Sequence, residues 1–131
     1  MIVVDACVVA DALLDGGSRG RRAAAALGGD PGWVVPEHCP TEVLSVIRRH
    51  ALAGRVSDAA AARAVAALSG LVWERVPTQS LIGRMWSMRH SMSAYDAGYV
   101  AVATERGLTL VTADARLARS AVGHCRVELI T

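Results

Sequence analysis

Asp5, Glu42, Asp96 and Asp114 are the residues of this chain whose types and settings could do chemistry together. Asp5 closes the apolar run Ile2-Val3-Val4, Asp114 follows Leu110-Val111-Thr112, and Glu42 and Asp96 each open a helical segment. If the four converge, their repulsion raises their pKa values unless a cation neutralises them, and a hard divalent ion is the simplest neutraliser. Ligation by oxygen alone favours Mg2+ or Mn2+ over Zn2+, and the four histidines, His38, His50, His90 and His124, show no ligand spacing. Such an ion acidifies and orients a water and offsets charge on a phosphoryl group, so phosphodiester hydrolysis is the predicted reaction. Singly, each acid has an ordinary explanation, because a carboxylate at a helix start caps it or answers its dipole. Ser93-Ala94-Tyr95-Asp96 fits a capping box. Capping alone leaves unexplained why Asp96 begins the most apolar helix of the chain, where an unpaired buried carboxylate is costly.

The elements that must position these acids alternate between strand and helix. Ile2-Val3-Val4 reads as a buried strand, and Val8, Val9, Ala12 and Leu13 recur at helical spacing after it. Arg19 to Leu27 is an alanine-rich helix, Trp33-Val34-Val35 a strand, and Pro40 to Ala53 a helix with Val43, Leu44, Val46 and Ile47 as its apolar stripe. Ser57 caps a further helix to about Leu68. Leu71 to Val76 reads as a strand, and Gln79 to Arg89 as a helix with Leu81, Ile82, Met85 and Trp86 inward. Ser93 to Arg106 is apolar on every side, as a central helix is, and Gly107 ends it. Leu108 to Thr112 is a strand, Asp114 to Ala121 a short helix and Val127 to Ile130 a last strand. Short strands joined by helices imply right-handed crossovers, hence an α/β fold: a three-layer α/β/α sandwich around a mostly parallel sheet. Ligands in such sheets sit beyond the carboxyl ends of the strands, where Asp5 and Asp114 fall. The helix at Ser93 follows another helix, so this rule places Asp96 less firmly.

Composition narrows the function further. At 131 residues, 53% of them hydrophobic, the chain suits one domain with a core of its own. Cys7, Cys39 and Cys125 are an odd number at unrelated spacings, neither a disulfide framework nor a zinc site. With no signal-like start and no apolar stretch of membrane length, a soluble, cytoplasmic protein without membrane contact is expected. All 14 basic residues are arginine, so any mechanism that requires lysine is excluded. That removes P-loop nucleotide chemistry, and it weighs against an aspartyl-phosphate enzyme with Asp5 as nucleophile. The net charge of +2 is too small to argue nucleic-acid binding, although arginine forks suit phosphate wherever they line a groove. Arg19, Arg21 and Arg22 form the densest basic cluster, equally suited to RNA, an acidic partner or water.

Four stretches, in order and spacing, resemble the PIN-domain nucleases and more narrowly the VapC-type toxins of bacterial toxin–antitoxin pairs. They are Ile2-Val3-Val4-Asp5-Ala6-Cys7-Val8-Val9, Thr41-Glu42-Val43-Leu44, Ser93-Ala94-Tyr95-Asp96-Ala97 and Leu110-Val111-Thr112-Ala113-Asp114-Ala115-Arg116-Leu117. The resemblance covers essentially the whole chain and implies a single PIN-like nuclease domain over residues 1–131. It implies that Asp5, Glu42, Asp96 and Asp114 are the catalytic, metal-binding acids, Glu42 chiefly on this ground, with Mg2+ as cofactor and Mn2+ able to replace it. It also implies endoribonuclease action on structured RNA such as tRNA or ribosomal RNA, a homodimer, and inhibition by a cognate VapB-type antitoxin. Thr112 matches a hydroxyl residue that supports the acids in similar proteins, its alternative role being helix capping. Cys7 departs from the serine or threonine common at that place, and the reading as an inert small core residue is preferred to that of a supporting residue of the site. Arg116 and Arg119, three apart after Asp114, are candidates for holding RNA phosphates at the cleft rim, against the alternative of a solvated pair. A non-catalytic PIN-like module that only binds RNA or protein is the rival reading. The high apolar fraction fits burial against a partner or a close-packed core of small residues.

Overall fold

The computed structural model describes residues 1–14 and 16–130. Its strands are β1 (Ile2–Val4), β2 (Trp33–Pro36), β3 (Glu74–Val76), β4 (Thr109–Thr112) and β5 (Val127–Leu129). Its helices are α1 (Ala6–Leu14), α2 (Ser18–Gly28), α3 (Cys39–Leu52), α4 (Asp58–Ser69), α5 (Ile82–Ser87), α6 (Ala94–Arg106) and α7 (Ala115–Ala121). The sheet runs β3-β2-β1-β4-β5, and every pairing is parallel. Right-handed crossovers then set α1 to α4 over one face and α5 to α7 over the other. The packing agrees: α1 touches α2, α3 and α4, while α6 lies against α5 and across β1, β2 and β4. This is the expected three-layer α/β/α sandwich.

The chain builds outward from β1 to β2 and β3, then returns to lay β4 on the other side of β1. Strand order therefore reverses at β1 and β4, the pair that ends in Asp5 and Thr112. A crevice opens at such a reversal because the connections leave in opposite directions.

The core is made of many small pieces. Val3, Val4, Val34, Val35, Leu110 and Val111 fill the sheet, Val8, Val9, Val43 and Ile47 close one face, and Ala97 to Ala103 close the other. Seven successive buried residues in α6 bear out its reading as the central helix. Ser93 caps it, its hydroxyl accepting from the Asp96 N–H at 3.1 Å, and Gly107 ends it at φ +63°, a left-handed turn that suits glycine. Cys7, Cys39 and Cys125 are free thiols. Among the described residues, no helix is long and apolar enough to cross a membrane.

Two expectations needed correction. Leu71, Val72 and Trp73 lie outside the strand, which begins only at Glu74. β3 pairs with β2 alone, from Val34↔Glu74 to Pro36↔Val76, and a short partner cannot hold a longer edge strand. Gln79 to Arg89 is a 3-10 turn, Gln79–Leu81, followed by the short α5. Leu81 and Met88 are buried there, whereas Ile82 and Trp86 are 54% and 66% exposed. A short helix lying on one neighbour buries a narrow stripe, so the residue adjacent to each inward position turns to solvent. Trp86 instead lies under the Arg89 guanidinium, 4.6 Å from the ring centroid.

Candidate active site

Asp5 leaves β1 where the backbone turns into α1, and its N–H donates to the Val111 carbonyl of β4 at 3.0 Å. Only 7% of Asp5 is exposed. The Thr112 hydroxyl donates to Asp5 Oδ2 at 2.7 Å, and the Cys7 thiol donates to the same oxygen at 3.1 Å. Two donors on one oxygen fix the rotation of the carboxyl group. Burial nonetheless pushes its pKa up, against the pull of those two hydrogen bonds and of the Ala6 N–H, and Asp114 adds to the rise. Burial also raises the Cys7 thiol, with Asp5 adding to it, so the sulfur stays protonated and acts as a donor.

Thr112 is fully buried and joins two acids. While its hydroxyl donates to Asp5, its oxygen accepts from the Asp114 N–H at 3.0 Å. Asp114 caps α7 as well, Oδ1 accepting from the N–H groups of Arg116 at 2.9 Å and Leu117 at 3.2 Å. The capping reading and the cluster reading of Asp114 are thus compatible, since the cap occupies one oxygen.

Asp96 stands in the first turn of α6, and burial, then Asp5 and Asp114, push its pKa up, while Arg116 and Ser93 pull it down. It is half-buried, so the expectation of a deeply buried carboxylate is moderated. The helix it opens is buried only from Ala97 onward, and Asp96 itself lies at the rim. Glu42, in the first turn of α3, is raised by burial and, more weakly, by Asp5 and Asp96, with Tyr99 and His38 opposing. The Tyr99 hydroxyl donates to Glu42 Oε1 at 2.8 Å, and His38 Nε2 lies 3.5 Å from the same oxygen. The acids are thus linked electrostatically, Asp5 and Asp96 to Asp114 and Glu42 to both Asp5 and Asp96. Among the described residues, no three Asp, Glu, His or Cys side chains are close enough to form a ready-made metal site. What the crevice offers is the donor chemistry, oxygen-rich and self-repelling, that a hard cation relieves.

The PIN domain profile matches residues 2–123, a span that contains all four acids. Ribonuclease VapC9 of Mycobacterium tuberculosis is 38% identical over 131 residues, covering 99% of this chain and 98% of its own length. The chain belongs to the PIN-domain family, among the VapC-type ribonucleases. Ribonuclease VapC1 of Mycobacterium tuberculosis is 36% identical over 132 residues, covering 98% of this chain and 96% of that protein. The crystal structure of Mycobacterium tuberculosis VapC20, described as a sarcin-ricin loop cleaving toxin, matches with a TM-score of 0.71 at 23% identity. The match covers 92% of this chain and 95% of that one, which shows a shared fold.

In this PIN domain the two arginines expected at the rim separate. Arg116 lines a cavity of about 280 Å³ together with Asp96, Ser93 and Ser120. Arg119 is exposed on the last turn of α7 and lines neither that cavity nor the one beside Asp114.

Sequence reasoning missed the support of Glu42. His38 shows no ligand spacing in the sequence, and Tyr99 lies unmarked within the apolar run from Ser93 to Arg106. The His38 ring meets Tyr95 and Tyr99 edge-on, with centroids 5.5 and 5.4 Å apart, and its Nε2–H donates to the Tyr95 carbonyl at 3.0 Å. A tyrosine within a run of alanine and valine was the available signal, because a buried phenol needs a polar partner. Removing it in Tyr99→Phe is expected to cost about 1–2 kcal/mol in urea unfolding and to lower RNA cleavage by releasing Glu42. Unchanged stability and rate would show that this bond holds nothing in place.

Gly98 leaves room on α6 for the ring of His38, the N-cap residue of α3. A Cβ there would stand 2.5 Å from His38 Cε1, so Gly98→Ala must displace the ring. The expected loss is about 1–3 kcal/mol, most of it recovered in the double variant with His38→Ala. Equal losses with and without His38 would place the strain elsewhere.

Proposed function

We propose that this PIN domain is a Mg2+-dependent endoribonuclease that hydrolyses phosphodiester bonds of structured RNA, of the tRNA or ribosomal RNA class. Asp5, Glu42, Asp96 and Asp114 would hold the ion, with Mn2+ able to take its place. The observation that carries this reading is that burial and mutual repulsion raise Asp5, Glu42 and Asp96 together at the β1/β4 reversal. Capping explains each acid singly and leaves that shared cost unrelieved. The names of relatives at 36–38% identity support the ribonuclease class.

When bound, the ion supplies Lewis acidity, acidifying water and offsetting charge that builds on the phosphoryl group. The protein's part is to hold its carboxylates in one orientation each. Thr112 and Cys7 hold Asp5, Tyr99 holds Glu42, and the start of α7 holds one oxygen of Asp114. Thr112 is a supporting residue because it touches both Asp5 and Asp114 from a fully buried position. Arg116 lines a cavity with Asp96, which supports a role in meeting a phosphate, whereas Arg119 lacks that support.

In the cell the protein would be the toxin of a pair: a cytoplasmic homodimer of one PIN domain, held in check by a VapB-type antitoxin. The test is to incubate purified protein with total bacterial RNA, with Mg2+ or with EDTA, beside Asp5→Asn and Asp96→Asn. Cleavage that needs Mg2+ and is lost in both variants is expected, and cleavage that survives both sinks the site. Expression without the neighbouring gene should arrest growth, and co-expression of that gene should relieve it. Absence of arrest at high expression would count against the toxin role.

A further inference from the structure

A second cavity is lined by Asp114 and not by Arg116. About 370 Å³ in volume, it is bounded by Cys7, Ala113 and Asp114 at the sheet edge and by Arg19, Arg22 and Ala23 of α2, with Asp11 of α1 between them. We propose that Arg19 and Arg22 are positioning residues that grip a backbone phosphate of the RNA strand as it enters the acidic crevice. This deepens the ribonuclease reading and rests on it.

Helical geometry makes the pair. Arg19 and Arg22 are three apart and so share one face of α2, the face that Ala23 buries against the rest of the protein. Arg21, between them in sequence, points elsewhere, and its Nη1 donates to the Gly16 carbonyl at 3.3 Å. Neither Arg19 nor Arg22 is taken up in a hydrogen bond or ion pair with another described residue. Two guanidinium forks without such a partner among the described residues thus help to bound a cavity that Cys7 and Asp114 also line. A fork matches phosphate oxygens two at a time, and a contact to the backbone sets register without reading sequence. The volume lies at the lower end of small-ligand pockets, enough for one unit of a strand. RNA is favoured over an acidic polypeptide because the cavity shares Cys7 and Asp114 with the proposed site. A strand lying through it carries its next phosphodiester toward Asp114, Asp5 and Asp96. A peptide carboxylate would gain nothing from that continuity, and Asp11 and Asp114 bear on either anion alike.

The test measures binding of a fluorescein-labelled mixed-sequence RNA oligonucleotide by anisotropy in EDTA, where neither ion nor turnover enters. Wild type is compared with Arg19→Ala/Arg22→Ala, Arg19→Lys/Arg22→Lys and Arg21→Ala. The alanine pair is expected to weaken binding roughly tenfold and to flatten the salt dependence by about one to two phosphates. The lysine pair should restore the salt slope and only part of the affinity, and Arg21→Ala should leave both unchanged. In the Mg2+ cleavage assay the alanine pair should raise KM with little change in kcat. Unchanged binding in the alanine pair overturns the proposal, as does an equal loss in Arg21→Ala, which would reduce the effect to bulk charge. Labelled polyglutamate that binds through Arg19 and Arg22 while RNA does not would also overturn it, in favour of an acidic protein partner. If wild type fails to cleave RNA yet binds it through these arginines, the metal-site reading falls and the grip stands. If it cleaves and the arginines do not matter, only the grip falls.

Discussion

Asp96→Asn is expected to lower Mg2+-dependent RNA cleavage by about two to three orders of magnitude while raising the melting temperature of the ion-free protein. The two effects have one cause. Burial, Asp5 and Asp114 together outweigh Arg116 and Ser93 at this carboxyl group, so its charge is held against the preference of its surroundings. Asparagine keeps the shape and removes the charge. A carboxylate in the first turn of α6 also gains from the helix dipole, by about 0.3–1 kcal/mol, which works against that burial and repulsion. The same balance sets the pH dependence. Asp5, Glu42 and Asp96 keep their protons to higher pH in the folded chain than in the unfolded one. Where the folded state binds more protons, stability falls as pH rises. The ion-free protein should therefore lose stability from the ordinary carboxylate range upward through the raised values, and stay lowered above them. Added Mg2+ should offset that loss because it binds the charged forms of the folded state alone. Thermal melts across that range, with Mg2+ and with EDTA, check both statements. An ion-free Asp96→Asn protein that melts below wild type would refute the account of shared repulsion.

Thr112→Val is expected to destabilise the fold by about 2–4 kcal/mol and to weaken Mg2+ binding, although the two side chains are nearly the same shape. The hydroxyl is fully buried and has two partners that cannot turn to water. Its proton stabilises Asp5 Oδ2, and its oxygen satisfies the N–H of Asp114. Valine would leave a buried carboxyl group short of a donor and a backbone N–H short of an acceptor, each a full desolvation cost. Thr112 is also the largest influence that lowers the Asp5 pKa, so its loss drives Asp5 further toward the neutral form, which binds cations poorly. Thr112→Ser keeps the hydroxyl and should recover most of both losses. Urea unfolding and Mg2+ titration followed by melting temperature provide the readouts. If valine matches threonine in both, the hydroxyl is only a helix-capping group.

Local patterns sufficed wherever the deciding interaction lay within a few residues. Ile2-Val3-Val4-Asp5 and Leu110-Val111-Thr112-Ala113-Asp114 state a strand and its polar exit in adjacent letters. Ser93 and Gly107 mark the ends of α6 by capping chemistry that acts within one turn. The unbroken apolar run between them required a central helix. The absence of lysine removed whole classes of chemistry without any structure.

Orientation and company were not legible in the same way. Ile82 and Trp86 have the composition of core residues, but the 3-10 turn and the packing of α5 on α6 decide which stripe is covered. Leu71 to Trp73 have strand composition, yet the pairing with β2 begins only at Val34↔Glu74. Arg116 and Arg119 look alike in sequence, and the packing of α7 sends only the first to Asp96. Glu42 depended on family likeness until Tyr99, 57 residues away, supplied its hydrogen bond, with Gly98 leaving room for the His38 ring. The sequence by itself determined the alternating fold, the two acids at strand ends and an oxygen-rich, lysine-free chemistry, because propensity, periodicity and capping act over a few residues. Tertiary structure alone decided that Asp5, Glu42, Asp96 and Asp114 share one field and which side chains hold them. Those relations arise from the order in which five parallel strands are laid side by side, and no short-range pattern encodes that order.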